Sequence, residues 1–135
     1  MKKYLFILIA VFSFEYVAFA QSPNKASHVV INLSTERFKA IIANEKNGMI
    51  IDLRTAAEIG KGFIKGSVPL DFLAKDSKNN IDKLDKNKTY YIYSADGSIA
   101  ADAAAYMEKQ NFKRIYTLEK GFSDWEKKDF PIEKK

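Results

Sequence analysis

The sequence predicts an α/β domain built on a mainly parallel sheet. Segments with strand character alternate with segments of helical spacing, which is the pattern of βαβ units. The strand-like runs are short and apolar along most of their length, Met49-Ile50-Ile51-Asp52-Leu53 above all, as strands covered on both faces are. A length of 135 residues with 47% hydrophobic content suits one domain with its own core. Ten Phe, seven Tyr and one Trp argue against a disordered chain.

The first 20 residues are expected to be a signal peptide. Lys2 and Lys3 form a basic start, residues 4–14 are apolar and uncharged, and Ala18-Phe19-Ala20 is a small-x-small cleavage pattern. The run is too short for a bilayer, which needs about 20 apolar residues, so cleavage is favoured over a retained anchor. The mature chain would begin at Gln21 and be exported, to the periplasm or beyond, with no membrane attachment left. Residues 21–27 read as a polar leader and 28–33 as a first strand, ahead of a main domain over 34–131.

Ser34 is placed to cap a helix over 35–43, with Phe38, Ile41 and Ile42 on one face. Asn47-Gly48 is a turn signal before the strand at 49–53. Residues 55–59 predict a short helix ended by Gly60 and Gly62. An extended piece follows at 67–72, where Pro69 argues for an edge or a strand end. The Lys-, Asp- and Asn-rich segment 76–88 reads as a polar connection around a small helix at Ile81 and Leu84.

Thr89-Tyr90-Tyr91-Ile92-Tyr93 is the strongest strand by propensity. The alanine-rich segment 98–110 is strongly helical, with Ile99, Ala103, Tyr106 and Met107 on its expected inner face. Ser98 is expected to cap that helix, with Asp102 in its first turn. A last strand at 114–118 and a last helix at 122–127 complete the alternation, with Phe122 and Trp125 packing that helix onto the core.

Charge and composition narrow the function. The formal charge of +5 falls by one on loss of residues 1–20, and the basic residues are interleaved with acids, as in Glu126-Lys127-Lys128-Asp129. That is a solvated surface, not a nucleic-acid face. The chain has no cysteine and a single histidine, His28. Disulfides, thiolate metal sites and a cysteine nucleophile are therefore excluded, and neither a metal nor a cofactor is expected. Asp82, Asp85 and Asn87 do not make a calcium loop. Counted from Asp85, the sixth and twelfth positions are Tyr90 and Asp96, where the motif requires Gly and Glu.

In parallel sheets ligands bind beyond the carboxyl ends of the strands. The loop Ser94-Ala95-Asp96-Gly97-Ser98, between the strongest strand and the strongest helix, is therefore the expected site, with N–H groups converging at a helix start.

Four motifs in order, MIIDLRTAAE at 49–58, GFIKGS at 62–67, YYIYSADGSIAADAAA at 90–105 and LEKGFSDW at 118–125, resemble a single-domain rhodanese. The resemblance implies a five-stranded parallel sheet flanked by helices and an active loop after the fourth strand. In that family a cysteine at the head of the loop, in a pattern like C-x-x-G-x-R, carries a sulfane sulfur as a persulfide. Aligned on Gly97, the cysteine position is Ser94 and the arginine position is Ile99. Ala95 takes a position that is often basic, Asp96 adds a carboxylate, and Phe63 takes the place of a common histidine.

A serine hydroxyl is far less acidic than a thiol with a pKa of about 8.5, and oxygen forms no persulfide. The resulting expectation is a catalytically inactive domain that binds a small ligand or a protein partner through Ser94, Ala95, Asp96, Gly97, Ser98 and Ile99. Asp52, Arg54 and Phe63 are expected beside this loop, the first two chiefly bracing it. The alternative is an enzyme with an altered loop, either a Ser94 hydrolase or a sulfurtransferase assisted by a partner's thiol. A hydrolase would need a base beside Ser94, and the sequence indicates none.

Overall fold

The computed structural model describes residues 27–135, so the expected signal peptide and leader residues 21–26 lie outside it. In chain order the elements are β1 (Val29–Leu33), α1 (Thr35–Asn44), β2 (Met49–Asp52), α2 (Ala56–Gly60), β3 (Ser67–Pro69), α3 (Ser77–Asp82), β4 (Thr89–Tyr93), α4 (Ser98–Lys109), β5 (Arg114–Leu118) and α5 (Gly121–Lys127). The strands form one sheet in the order β1-β5-β4-β2-β3, and every neighbouring pair is parallel. The sheet takes in β1, upstream of the 34–131 span.

β4 lies at the centre, and its two-residue alternation divides the core. Tyr90 and Ile92 pack with Ala100, Ala103, Ala104 and Met107 of α4 on one face. Tyr91 and Tyr93 pack with Phe38 of α1 and with Phe122 and Trp125 of α5 on the other. A strand covered on both faces needs an unbroken apolar run, and Thr89–Tyr93 supplies it. β1 is different. It pairs only with β5, Leu33 is its one buried residue, and Val30 and Ile31 stay exposed.

Several local expectations need correction. The buried face of α4 is Ala100, Ala103, Ala104 and Met107, with Ile99 and Tyr106 only flanking the core. Three alanines bring the helix axis close to the sheet, and Met107 near its end is the one large side chain buried beneath it. Ser98 does not cap α4, because Gly97 holds the cap position and Ser98 is the first helical residue. Asp102 lies one residue beyond the first turn. His28 stands just before β1, with its Nδ1 3.0 Å from the Phe112 carbonyl oxygen. Pro69 does end an edge strand, β3, where its missing N–H costs no ladder bond.

The turn at Asn47-Gly48 has a carboxylate at its centre. Glu45 accepts from the N–H groups of Asn47 (2.8 Å) and Gly48 (2.9 Å) and from the Tyr91 hydroxyl (2.6 Å). The Tyr91 bond, followed by the backbone bonds, holds Glu45 below its ordinary 4.5. Stability from this group is therefore complete above the ordinary value and is lost as pH falls through the lower folded value. Glu45→Gln is expected to cost about 1 kcal/mol at neutral pH. The gap should close at acid pH, as read from urea midpoints across a pH series. A gap that persists after the carboxylate is protonated would overturn this reading.

Candidate functional site

β2 continues through α2 to β3 on one side, and β4 continues through α4 to β5 on the other. The crevice between the carboxyl ends of β2 and β4 is therefore the topological switch point, where open α/β sheets bind ligands. Leu53 N–H donates to the Tyr93 carbonyl at 2.9 Å, which joins the two strand ends as their loops begin.

Ser94 opens the loop after β4 and is 1% exposed. Its Oγ accepts from the N–H of Gly97 (3.2 Å) and of Ala100 (3.1 Å). The expected convergence of N–H donors is present, but the donors are taken by the serine's own oxygen. Asp96 is exposed, and its Oδ1 accepts from the Ser98 N–H (3.0 Å) and hydroxyl (2.7 Å). Those bonds, the hydroxyl first, hold its carboxyl below the usual range. Its side chain thus serves the turn into α4.

Two glycines let the loop meet the segment after β5. A Cβ on Gly97 (φ +96°) would lie 1.9 Å from the Glu119 carbonyl oxygen, and one on Gly121 (φ +69°) would lie 2.5 Å from that of Ala95. Because the backbones touch, Phe122 N–H donates to the Ser94 carbonyl at 2.8 Å and Ser123 N–H to that of Ala95 at 2.9 Å.

Beneath the loop lies a buried ion pair. Arg54 Nε donates to Asp52 Oδ1 at 2.9 Å, and one terminal nitrogen donates to Asp52 Oδ2 at 2.6 Å and to the Gly62 carbonyl at 2.8 Å. The Tyr93 hydroxyl donates to Asp52 Oδ2, and the Ile64 N–H donates to that hydroxyl at 3.1 Å. Burial first, then the charge of Asp52, pushes the Tyr93 phenol well above its ordinary value. For Arg54, burial works against the charge, but the Asp52 carboxylate outweighs it and the pKa is raised. The guanidinium carbon lies 3.8 Å from the Phe122 ring centroid, a close cation–π contact. These contacts of the cation brace the two loops.

A cavity of about 110 Å³ opens beside Ser94, bounded by Leu53, Arg54, Glu58, Asp71, Leu73 and Ile99. A second of about 180 Å³ adjoins Ala95, Phe122 and Lys61. Asp52 and Arg54 lie under the loop, as expected. Phe63 lines neither cavity. Its backbone instead pairs with Glu133 in an isolated antiparallel bridge, while its two neighbours, Gly62 and Ile64, reach the network of Arg54, Asp52 and Tyr93. Glu58 and Asp71 are site residues that the sequence reading missed. The capping box Thr55–Glu58, in which Glu58 accepts from Thr55 N–H at 3.0 Å, was the available signal for the first. Phe122 was read only as core.

Among the described residues no base is hydrogen-bonded to Ser94: its oxygen only accepts, and both donors are backbone N–H groups. His28 sits at the opposite end of the sheet, about 20 Å away along the strands.

The profile of the rhodanese-like domain matches residues 34–128. The chain belongs to the rhodanese-like family. This rhodanese-like domain is 25% identical over 104 residues to a sulfurtransferase of Allochromatium vinosum, with 77% of this chain and 95% of that protein covered. It is 30% identical over 93 residues to the putative sulfur carrier protein YrkF of Bacillus subtilis, covering 69% of this chain and 49% of that one. A rhodanese-like domain protein of Staphylococcus aureus shares 27% identity and superimposes with a TM-score of 0.63, over 78% of this chain and 98% of that one. The rhodanese-like domain of Anabaena Alr3790 has the same fold at 19% identity, with a TM-score of 0.66 over 77% and 79% of the two chains. With no cysteine in its sequence, this rhodanese-like domain lacks the family's catalytic thiol.

Proposed function

We propose that the chain is an exported rhodanese-like domain without sulfurtransferase activity of its own, which binds a small ligand or a protein partner at the Ser94 loop. One observation carries the reading: the oxygen of Ser94 itself occupies the N–H donors of Gly97 and Ala100. A transferable sulfur has no atom to sit on, and an incoming anion finds those donors engaged. The surrounding charge supports the same conclusion. Ile99 supplies no cation, Arg54 is held by Asp52, and the cavity beside Ser94 carries Glu58 and Asp71. What remains is a shaped crevice with an apolar lip at Leu73, which is 70% exposed.

The purified chain is expected to release no thiocyanate from thiosulfate and cyanide above the protein-free rate. Ser94→Cys is expected to stay inactive as well, because a thiol alone restores no neighbouring cation. Turnover by the unaltered chain would overturn the proposal. Turnover by Ser94→Cys alone would mean that the crevice still suits a sulfur donor. Export is supported by the pattern of residues 1–20, and N-terminal sequencing of the secreted chain should begin at Gln21. A membrane-bound chain that starts at Met1 would refute it.

A further inference from the structure

We propose that a groove between α1 and α5 binds a medium-chain aliphatic carboxylate. The groove has about 290 Å³ of space, walled by Ile42 of α1, Ile50 of β2, Ile64 between α2 and β3, and Trp125 of α5, with Lys39 and Lys65 at its rim. It shares no lining residue with either cavity at the Ser94 loop, so it stands apart from the function proposed above.

Three observations select the ligand class. The first is the wall chemistry. Ile64 and Trp125 are nearly fully buried and form the floor, and the indole N–H is already satisfied by the Pro131 carbonyl at 3.0 Å. The floor therefore asks for hydrocarbon and offers no hydrogen bond, as in small-molecule sites whose few polar groups stand at the margin. The second is the charge. Two lysines stand at the rim, and no carboxylate is among the lining residues. The Lys39 ammonium lies 4.1 Å from the Phe130 ring centroid, and that ring meets the lining Trp125 edge-on at 5.3 Å. An apolar body with one anionic end complements both features. The third is size: at about 290 Å³ the groove falls at the small end of ligand pockets, which run roughly 300–1,000 Å³, so it suits a short acid such as octanoate better than a long-chain one.

Trp125 is the chain's only tryptophan, so its emission reports on the groove directly. Titration of the full chain with octanoate is expected to give a saturable change, with half-saturation below about 1 mM. Octanol should bind at least about fivefold more weakly, and the double variant Lys39→Gln/Lys65→Gln should lose about fivefold for octanoate and nothing for octanol. Equilibrium dialysis with labelled octanoate provides the same comparison without the fluorophore. Absence of saturable binding by both methods would overturn the proposal, as would octanol binding as tightly as octanoate, or a double variant indistinguishable from the parent. An emission change that follows protein concentration without ligand would also overturn it, by showing that a second copy covers the groove.

Discussion

Replacing Arg54 by methionine is expected to destabilise the fold by about 3–5 kcal/mol, the usual loss when one partner of a buried ion pair is removed. Asp52 is fully buried, and without the guanidinium it would keep only the Tyr93 hydroxyl and the Arg54 backbone N–H as donors. The Gly62 carbonyl would lose its donor, and Phe122 would lose the cation against its ring. Arg54→Lys should fall between, since an ammonium keeps the charge but cannot span both carboxylate oxygens and the carbonyl. Adding Asp52→Asn to Arg54→Met should recover part of the loss by removing the orphaned charge. Urea unfolding of the four proteins provides the test. A loss below about 1 kcal/mol for Arg54→Met, or no recovery in the double variant, would contradict the role assigned to the pair.

Gly97→Ala is the second substitution expected to have a large effect, of roughly 3 kcal/mol or more. Its φ of +96° is strained for any L residue, and the added carbon would sit 1.9 Å from a backbone oxygen that cannot turn away. To make room, the Ser94 loop must separate from the segment before α5. The bonds from Phe122 and Ser123 N–H to the loop carbonyls should weaken together, visible as faster amide exchange at both residues. Gly60→Ala is the matched control. Nothing lies within 4 Å of a Cβ there, so alanine at the end of α2 should be neutral or stabilising by about 0.5 kcal/mol. Equal losses at the two glycines would show that close approach is not what Gly97 provides.

Much of the architecture could be read from local pattern. The unbroken apolar run Thr89–Tyr93 marks a strand covered on both faces, and Asp-Gly before an alanine-rich segment marks the loop and helix that follow. Features that depend on which strands become neighbours were not legible. The Asp52–Tyr93 bond exists because β2 and β4 pair with those two residues opposite each other, a register no spacing along the chain reveals. The ends of α4 misled for a different reason. Ser98 satisfies the capping rule, yet the backbone bonds a cap would take run to Ser94 and Asp96, whose reach depends on the left-handed turn at Gly97. Phe63 was expected at the site from its place in a motif, but a C-terminal tail with no pattern of its own draws its backbone into a bridge. Phe122 showed only an aromatic at helical spacing, and its contact with a buried cation needed the Arg54 rotamer.

The pairing of the first strand with the last has a kinetic consequence. β1 meets β5 across a sequence separation of 85 residues, so a chain made from its N-terminus holds β1 without a partner until Leu118 has emerged. Closing so long a loop is entropically costly and comes late. β2, β3 and β4 pair with one another and need no later strand, so what waits is β1, and the sheet is completed only when the final strand slots in between β1 and β4.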